Sequence, residues 1–373
     1  MPDILPRVYL HDGSLVRIGQ IVTAAALDRS YLLGEEGVCT FSMSPDDPLF
    51  AEAQPTLGRV LVVESPLYPL LWVGKLSQAR RGAERGALTL TARSYDRILS
   101  ERVLGAEAGY QRECGAAMAQ VIEDVNGTNP TGIGIGRIAG PRAIFDGRLP
   151  YETARSAIDK IAEFGGMEWW LTYSLGTSNE LTIRFNATAA RGVDAYQRCA
   201  LVDGGNARWD DWIEDAEALT FGLTVVGGQA TAGQAFNARP AAALDVQAAG
   251  LEPEAPHGYV LEGTEPNLTP LTRSDRLVVA EHLRSTGLAA EAARAQLGRQ
   301  RLAGAVRSLR LTVTPTDATV WRSLEPGNVV RVVAPTAFWT GWDGPARIVG
   351  AQPDEQGTGG CALVLRLARP RHV

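Results

Sequence analysis

The first hundred residues carry short apolar bursts broken at close intervals. Residues 7–10 and 14–18 flank His11-Asp12-Gly13, the pattern of a hairpin closed by an Asp-Gly turn. Residues 40–43 precede a Ser-Pro-Asp-Asp-Pro break at 44–48, and residues 58–64, 70–74 and 87–93 follow. Each run is short, rich in Val, Leu or Thr, and bounded by Gly or Pro. Short strands so closely spaced predict a barrel or sandwich.

Near residue 105 the period changes. Met118, Val121, Ile122 and Val125 stand at i, i+3, i+4 and i+7, one apolar face of a helix that ends at Asn126-Gly127. Residues 128–140 are rich in Gly and Pro and predict a loop or an irregular strand. Ala154, Ala157, Ile158, Ile161 and Ala162 mark a second helix, stopped by Gly165-Gly166. Residues 168–173 and 180–185 then predict a hairpin across Gly176. Two helices followed by a hairpin make a small α+β unit.

The strand signal returns at 219–226. Residues 229–270 lack periodicity, contain five prolines, and predict a segment wandering over the surface. Residues 283–302 are rich in Ala and Arg and predict a helix. Strands are predicted at 308–314, 328–333, 346–349 and 361–367, with turns at Pro326-Gly327 and Asp343-Gly344-Pro345. The fold class expected is therefore α+β and β-rich: two barrel-like antiparallel β domains with a small α+β domain between them. The boundaries fall at 1–104, 105–190 and 191–373, with the Pro-rich stretch 229–270 and the helix 283–302 inside the last.

Composition excludes more than it identifies. The chain of 373 residues is 45% hydrophobic and 21% charged, which is ordinary for a globular protein and excludes a chiefly disordered one. No apolar run approaches the length of a membrane span, and the start shows no basic segment followed by an apolar one, so no signal sequence is expected. The net charge is −6, which argues against a nucleic-acid binder. Lys75 and Lys160 are the two lysines among 36 basic residues, a bias of codon usage rather than chemistry. Arg80, Arg81 and Arg85 form the densest basic cluster, with Glu84 inside it, and predict a solvated turn.

No catalytic, cofactor-binding or metal-ligating residue is assigned. Cys39, Cys114, Cys199 and Cys361 are far apart and form no C-x-x-C, so free thiols are expected. His11, His257, His282 and His372 form no pair at helical spacing and no zinc motif. Asn126, Asn186 and Asn267 match a glycosylation sequon that has no meaning without secretion. Gly132-Ile133-Gly134-Ile135-Gly136 lacks the spacing of a dinucleotide loop, and Pro141 opposes a helix behind it; a loop or bulged strand is expected. Asp46-Asp47, Glu123-Asp124 and Asp210-Asp211 are adjacent carboxylates, which a strand points to opposite faces. The last pair lies between Trp209 and Trp212, an arrangement open to a sugar site but expected to serve packing or an interface. Trp169-Trp170 predicts one ring in the core and one outward, and Trp72, Trp339 and Trp342 read the same way. An outward tryptophan is a candidate protein contact. No G-x-S-x-G elbow occurs.

The order of elements resembles the hub protein family of phage tails and related injection devices. Phe41-Ser42-Met43 and Pro48-Leu49-Phe50 precede Gly58-Arg59-Val60-Leu61-Val62, then Leu71-Trp72-Val73-Gly74-Lys75-Leu76 and Leu88-Thr89-Leu90-Thr91-Ala92. In the middle, a helix over 151–164 leads through Gly165-Gly166-Met167-Glu168-Trp169 to Leu181-Thr182-Ile183. Near the end, a helix over 289–302 leads into 309–314 and then Leu324-Glu325-Pro326-Gly327-Asn328-Val329-Val330. The stretch 229–270 is longer and more Pro-rich than the family pattern.

The resemblance implies two barrel-like domains per chain around a central channel. Three chains would form a pseudo-sixfold ring, a homotrimer between the tail tube or distal-tail protein and a central spike or fibre. It would hold the tape-measure protein and pass DNA or cargo in transit past an acidic lumen. The implied place is the virion tail, assembled in the bacterial host cytoplasm, with no enzyme activity, no cofactor and no stable membrane insertion. Two alternatives are a hexameric distal-tail ring or adaptor, and a tail-borne cell-wall hydrolase using Asp210 or Asp211.

Overall fold

The structure is a computed structural model that describes residues 6–66, 68–81, 88–177, 179–215, 222–227, 247–248, 257–262, 275–280, 306–313, 318–337, 341–354 and 362–368. Strands dominate, and the fold is α+β and β-rich.

The chain opens with β1 (Arg7–His11), β2 (Arg17–Ile21), β3 (Ala25–Arg29), β4 (Tyr31–Leu32), β5 (Val38–Met43), β6 (Val60–Glu64), β7 (Trp72–Arg81) and β8 (Leu88–Ser94), followed by the short α1 (Arg97–Ser100). All but β4 form one sheet in the order β2-β1-β6-β7-β8-β5-β3. The predicted hairpin is β1–β2, with its second strand three residues later than expected. β6 reads as an unbroken apolar run because both its faces are covered. Leu61 and Val63 face Val8, Leu10, Phe41, Met43 and Leu90 inside the sheet's own core. Val60 and Val62 face the helices of the next unit. Arg80 and Arg81 stand on β7, not in a turn, and Arg85 lies outside the described residues.

The Ser-Pro-Asp-Asp-Pro break is organised by one of its two carboxylates. Asp47 is buried; Oδ2 accepts from the Thr23 amide and hydroxyl at 2.9 Å each, and Oδ1 accepts from the Leu49 amide at 2.9 Å. Asp47→Ala strands these donors and is expected to cost about 2 kcal/mol in urea unfolding, whereas exposed Asp46→Ala should shift the midpoint hardly at all.

Next come β9 (Gly109–Glu113), α2 (Cys114–Thr128), β10 (Ile133–Ile138), β11 (Ile144–Arg148), α3 (Ala154–Gly165), β12 (Glu168–Leu175) and β13 (Leu181–Thr188). Met118, Val121, Ile122 and Val125 are the buried face of α2, as their spacing predicts. The helix passes Asn126-Gly127 and closes at Thr128, whose hydroxyl donates to Asp124 O at 3.0 Å. α3 begins at a Thr153 cap, whose hydroxyl accepts from Ser156 N at 3.2 Å. It ends at Gly166, left-handed at φ 65°, with Met167 N reaching back to Ala162 O at 2.8 Å. The Gly-rich stretch after α2 contains β10, which pairs parallel with β13 and carries a register shift between Ile135 and Ile138. It is the bulged strand, not a loop.

The C-terminal part holds β14 (Ala200–Val202), β15 (Ala207–Asp215), β16 (Gly222–Gly227), β17 (Gln247–Ala248), β18 (His257–Glu262), β19 (Asp275–Ala280), β20 (Val306–Val313), α4 (Ala318–Ser323), β21 (Val329–Ala334), β22 (Trp342–Asp354) and β23 (Ala362–Ala368). Six of them form a sheet in the order β14-β21-β22-β23-β20-β15, and β4 from the N-terminal part pairs with β22 as a seventh strand. A separate sheet runs β17-β18-β16-β19.

Two expectations are overturned here. His257–Glu262, inside the stretch read as wandering, is a strand between β16 and β17. Asp343-Gly344-Pro345 is no turn. It lies within β22, opposite Val333, Val332 and Arg331 of β21. Pro345 is tolerated because, among the described residues, β23 joins β22 only from Arg347 onward, leaving this half of the strand with one neighbour. The expected helix 283–302 lies outside the described residues, as does most of 229–270. Among the described residues no helix is long and apolar enough to cross a membrane.

Three apolar clusters follow from this arrangement. One fills the first sheet, and one fills the C-terminal sheet. The third joins the outer face of β1, β6 and β7 to α2, α3, β12 and β13, so the first sheet and the α+β unit share a core across residues 104 and 105.

Candidate functional site

A cleft of about 890 Å³ opens where the first sheet, the α+β unit and the C-terminal sheet meet. Its walls include Tyr31, Asp96, Arg155, Trp170, Arg191 and Glu325. Alternation along β12 sends Trp169 toward the helices, where it stacks on Phe185 at 5.8 Å, and Trp170 to the other face, where the Arg191 guanidinium lies 5.6 Å from its ring. Neither ring stands free in solvent.

The polar groups of this junction are engaged with one another. Arg155 Nη1 meets Asp96 Oδ2 at 2.5 Å, and its Nη2 donates to Gly34 O at 3.2 Å, tying α3 to the first sheet. Glu36 lies between Arg155 and Arg97, at 3.8 and 3.3 Å. Tyr68 donates to Leu324 O at 3.3 Å and packs edge-on against Tyr31, whose hydroxyl donates to Leu70 O. Burial pushes the Tyr68 and Tyr173 phenols well above their ordinary range. Burial also lowers Arg191 and raises Glu325, each opposed by the charge of the other.

Between the α+β unit and the C-terminal sheet stands an ion pair. Arg347 on β22 places Nη1 2.6 Å from Glu168 Oε1 and Nη2 2.5 Å from Oε2, a two-pronged contact at the start of β12. The same guanidinium donates to Gly327 O at 3.2 Å and Arg191 O at 3.0 Å, and Glu168 Oε2 accepts from the Arg191 amide at 2.8 Å. The side chains are 9% and 18% exposed, so the pair is largely removed from water. Asn328 completes the joint: it accepts from Val193 N at 2.9 Å and donates to Ser323 O at 3.2 Å. Gly192 and Gly327 meet back to back, at φ 96° and 103°.

The residues nominated by sequence do not gather there. Asp210 and Asp211 sit on β15, where a bulge between Trp209 and Asp211 inserts one extra residue opposite β20. That extra residue brings Trp209 and Trp212 onto the same face, packed against the second sheet's core. Asp210 is held by Arg208 at 3.2 Å and Thr312 at 2.5 Å, while Asp211 is exposed. The aromatic rings and the carboxylates therefore do not face one another as a sugar site requires. Asp124 accepts from Tyr110 at 3.0 Å, and its neighbour Glu123 is exposed.

The glycines of 132–136 make room rather than bind phosphate. A Cβ on Gly134 would stand 2.7 Å from Arg184 Nη1, and one on Gly136 would stand 2.6 Å from Asn186 Oδ1. Asn126 and Asn186 have their side chains bonded within the fold, and Asn267 lies outside the described residues.

Cys39, Cys114 and Cys199 are buried thiols outside any disulfide, and burial pushes the Cys39 and Cys199 thiols up to about 12 and about 11. Cys361, His282, His372 and Trp339 lie outside the described residues. Among the described residues no three His, Cys, Asp or Glu side chains converge as metal ligands.

Sequence reasoning missed Arg347 and Gly192. The available signal for Arg347 was a lone arginine inside the apolar run 346–349. Glu168 and the Pro326-Gly327-Asn328 turn stand out in the sequence as pattern, but local pattern does not show that they are two halves of one joint.

No protein-family profile matches the chain, and no curated protein matches it. Solved structures do. The tail protein from Neisseria meningitidis MC58 matches 98% of this chain and 96% of its own, with a TM-score of 0.60 and 16% identity. The prophage MuSo2 43 kDa tail protein from Shewanella oneidensis matches 98% and 99%, with a TM-score of 0.57 and 14% identity. Prophage tail protein gp18 from Listeria monocytogenes EGD-e matches 98% and 95%, with a TM-score of 0.56 and 9% identity. The chain shares the fold of these phage tail proteins from end to end.

Proposed function

We propose that the chain is a structural component of a phage-type tail tip. Its role there is that of a hub, a homotrimeric ring joining the tail tube or distal-tail protein to a central spike or fibre. The observation that carries this is the coverage of the match. All three solved tail proteins align over nearly the whole of both chains, so the likeness belongs to the assembled architecture and not to one common sheet.

The joint between units supports the same reading. A cleft in which Arg155 is held by Asp96 and Glu36, beside an ion pair clamping two sheets, suits a part that transmits force. The role asks for no catalytic group. The working units are 1–104, 105–190 and 191–373, and the ring's lumen would pass DNA or cargo along an acidic wall. A cyclic arrangement covers open sheet edges and stops growth at a fixed size.

Light scattering over a concentration series tests this. A species near three times 39.9 kDa, growing at the expense of monomer, is the expected result. Six copies would replace the hub with a distal-tail ring. A monomer that also fails to join purified tail tubes would remove the tail-hub reading.

A further inference from the structure

The tip of the β12–β13 hairpin rests on the turn between β1 and β2, and three irregularities meet at this contact. Leu181 N donates to Leu15 O at 3.1 Å, Val16 and Glu180 form an isolated antiparallel bridge, and Arg17 Nη1 reaches Asn179 Oδ1 at 3.4 Å. Leu15 and Asn179, one on each side, are both left-handed, at φ 64° and 62°. Each belongs to its own hairpin turn, closed by Leu15 N to Asp12 O at 3.0 Å and by Asn179 N to Gly176 O at 3.0 Å, so the contact joins two turn tips. Behind Leu15, Gly132 leaves the space its side chain fills.

The third irregularity is His11. It is fully buried, and neither ring nitrogen has a hydrogen-bond partner. It stands opposite Val60 on β6, so it shares the sheet face that packs on the α+β unit. The Asn179 backbone faces the ring and favours its protonated form, against the larger effect of burial, and the charged groups acting on it are Arg17 on β2 and Asp12 in the turn. Val60 on β6 adds no charge. Burial lowers the imidazole from its ordinary value, and Arg17 acts in the same direction against the weaker pull of Asp12.

We infer that this contact is an acid-released latch, in which proton uptake by His11 detaches residues 179–181 of the hairpin tip from the β1–β2 turn. The closed contact buries an imidazolium, offers it the Asn179 backbone as its one acceptor among the described residues, and places it beside Arg17. Opening admits water to both ring nitrogens. In the open state the ring takes its proton near pH 6.5. In the closed state it does so only at lower pH. The latch is therefore fully closed above about pH 6.5 and loosens as pH falls below it.

Amide hydrogen exchange on the full chain tests the latch. Between pH 7.5 and 5.5 the protection factor of Leu181 N–H, corrected for the intrinsic rate, should fall, by up to about tenfold, the limit for one linked proton. The Ala157 amide, bonded to Thr153 O inside α3, should keep its protection. His11→Leu should hold Leu181 protection level across the same range. An NMR titration of the His11 imidazole in the unaltered chain, which needs no variant to fold, should show proton uptake tracking the loss at Leu181. A flat Leu181 profile, an equal fall in His11→Leu, or a parallel fall at Ala157 would overturn the inference.

Discussion

Replacing Glu168 with alanine is expected to destabilise the folded chain by about 3–5 kcal/mol, the usual consequence of leaving one member of a buried ion pair behind. Arg347 would keep the Gly327 and Arg191 carbonyls but lose the only full counter-charge it touches among the described residues. The Arg191 amide would lose its acceptor as well. Arg347→Ala should cost a similar amount by stranding the carboxylate. Arg347→Lys should recover only part of it, because an ammonium cannot make both parallel contacts. A double replacement by leucine and methionine should come much closer to the original stability, since the desolvation of both charges is relieved together. Guanidinium unfolding of the four variants measures this. Single variants within about 1 kcal/mol of the parent would show the pair to be solvated, contrary to its burial.

The second large effect belongs to Gly192→Ala, with an expected loss on the order of 4 kcal/mol from a left-handed backbone and overpacking combined. A Cβ there would stand 2.3 Å from Gly327 C and O, both backbone atoms that no rotamer change can move. Gly204→Ala is the control. It has a similarly positive φ of 76° with nothing near the added atom, so its cost should be limited to backbone strain, about 1–2 kcal/mol. Equal losses at the two sites in thermal unfolding would mean that conformation alone matters and the close approach does not.

Both predictions concern contacts that local pattern could not reveal. The helices α2 and α3 were legible because four or five apolar residues at helical spacing dictate a buried face, and Gly166 dictates a stop. The β12–β13 hairpin and the strands around 60 and 330 were legible for the same kind of reason. β15 was not, because Asp210 and Asp211 interrupt the apolar alternation and the bulge at Asp210 resets it. Asp343-Gly344-Pro345 has the composition of a turn, yet long-range pairing with β21 overrides it. The clamp joins residues 168 and 347, and no rule acting over a window of fifteen residues sees such a pair. What could be read was the order of elements, and that order carried the resemblance to tail hubs.

The pairing of β4 with β22 also bears on synthesis. Tyr31 and Leu32 find their strand partners in Ala351 and Gly350, and Leu33 N donates to Val349 O at 2.9 Å. At ordinary rates of translation those partners leave the ribosome roughly 20–60 s after residue 32 does. For that interval the nascent chain holds an unpaired strand segment beside an otherwise complete first sheet. A neighbouring nascent chain on the same messenger would present the same segment at the same time. The last strands to be made thus close a gap left by the first, and a chain truncated before residue 349 would keep that gap open for as long as it lasts.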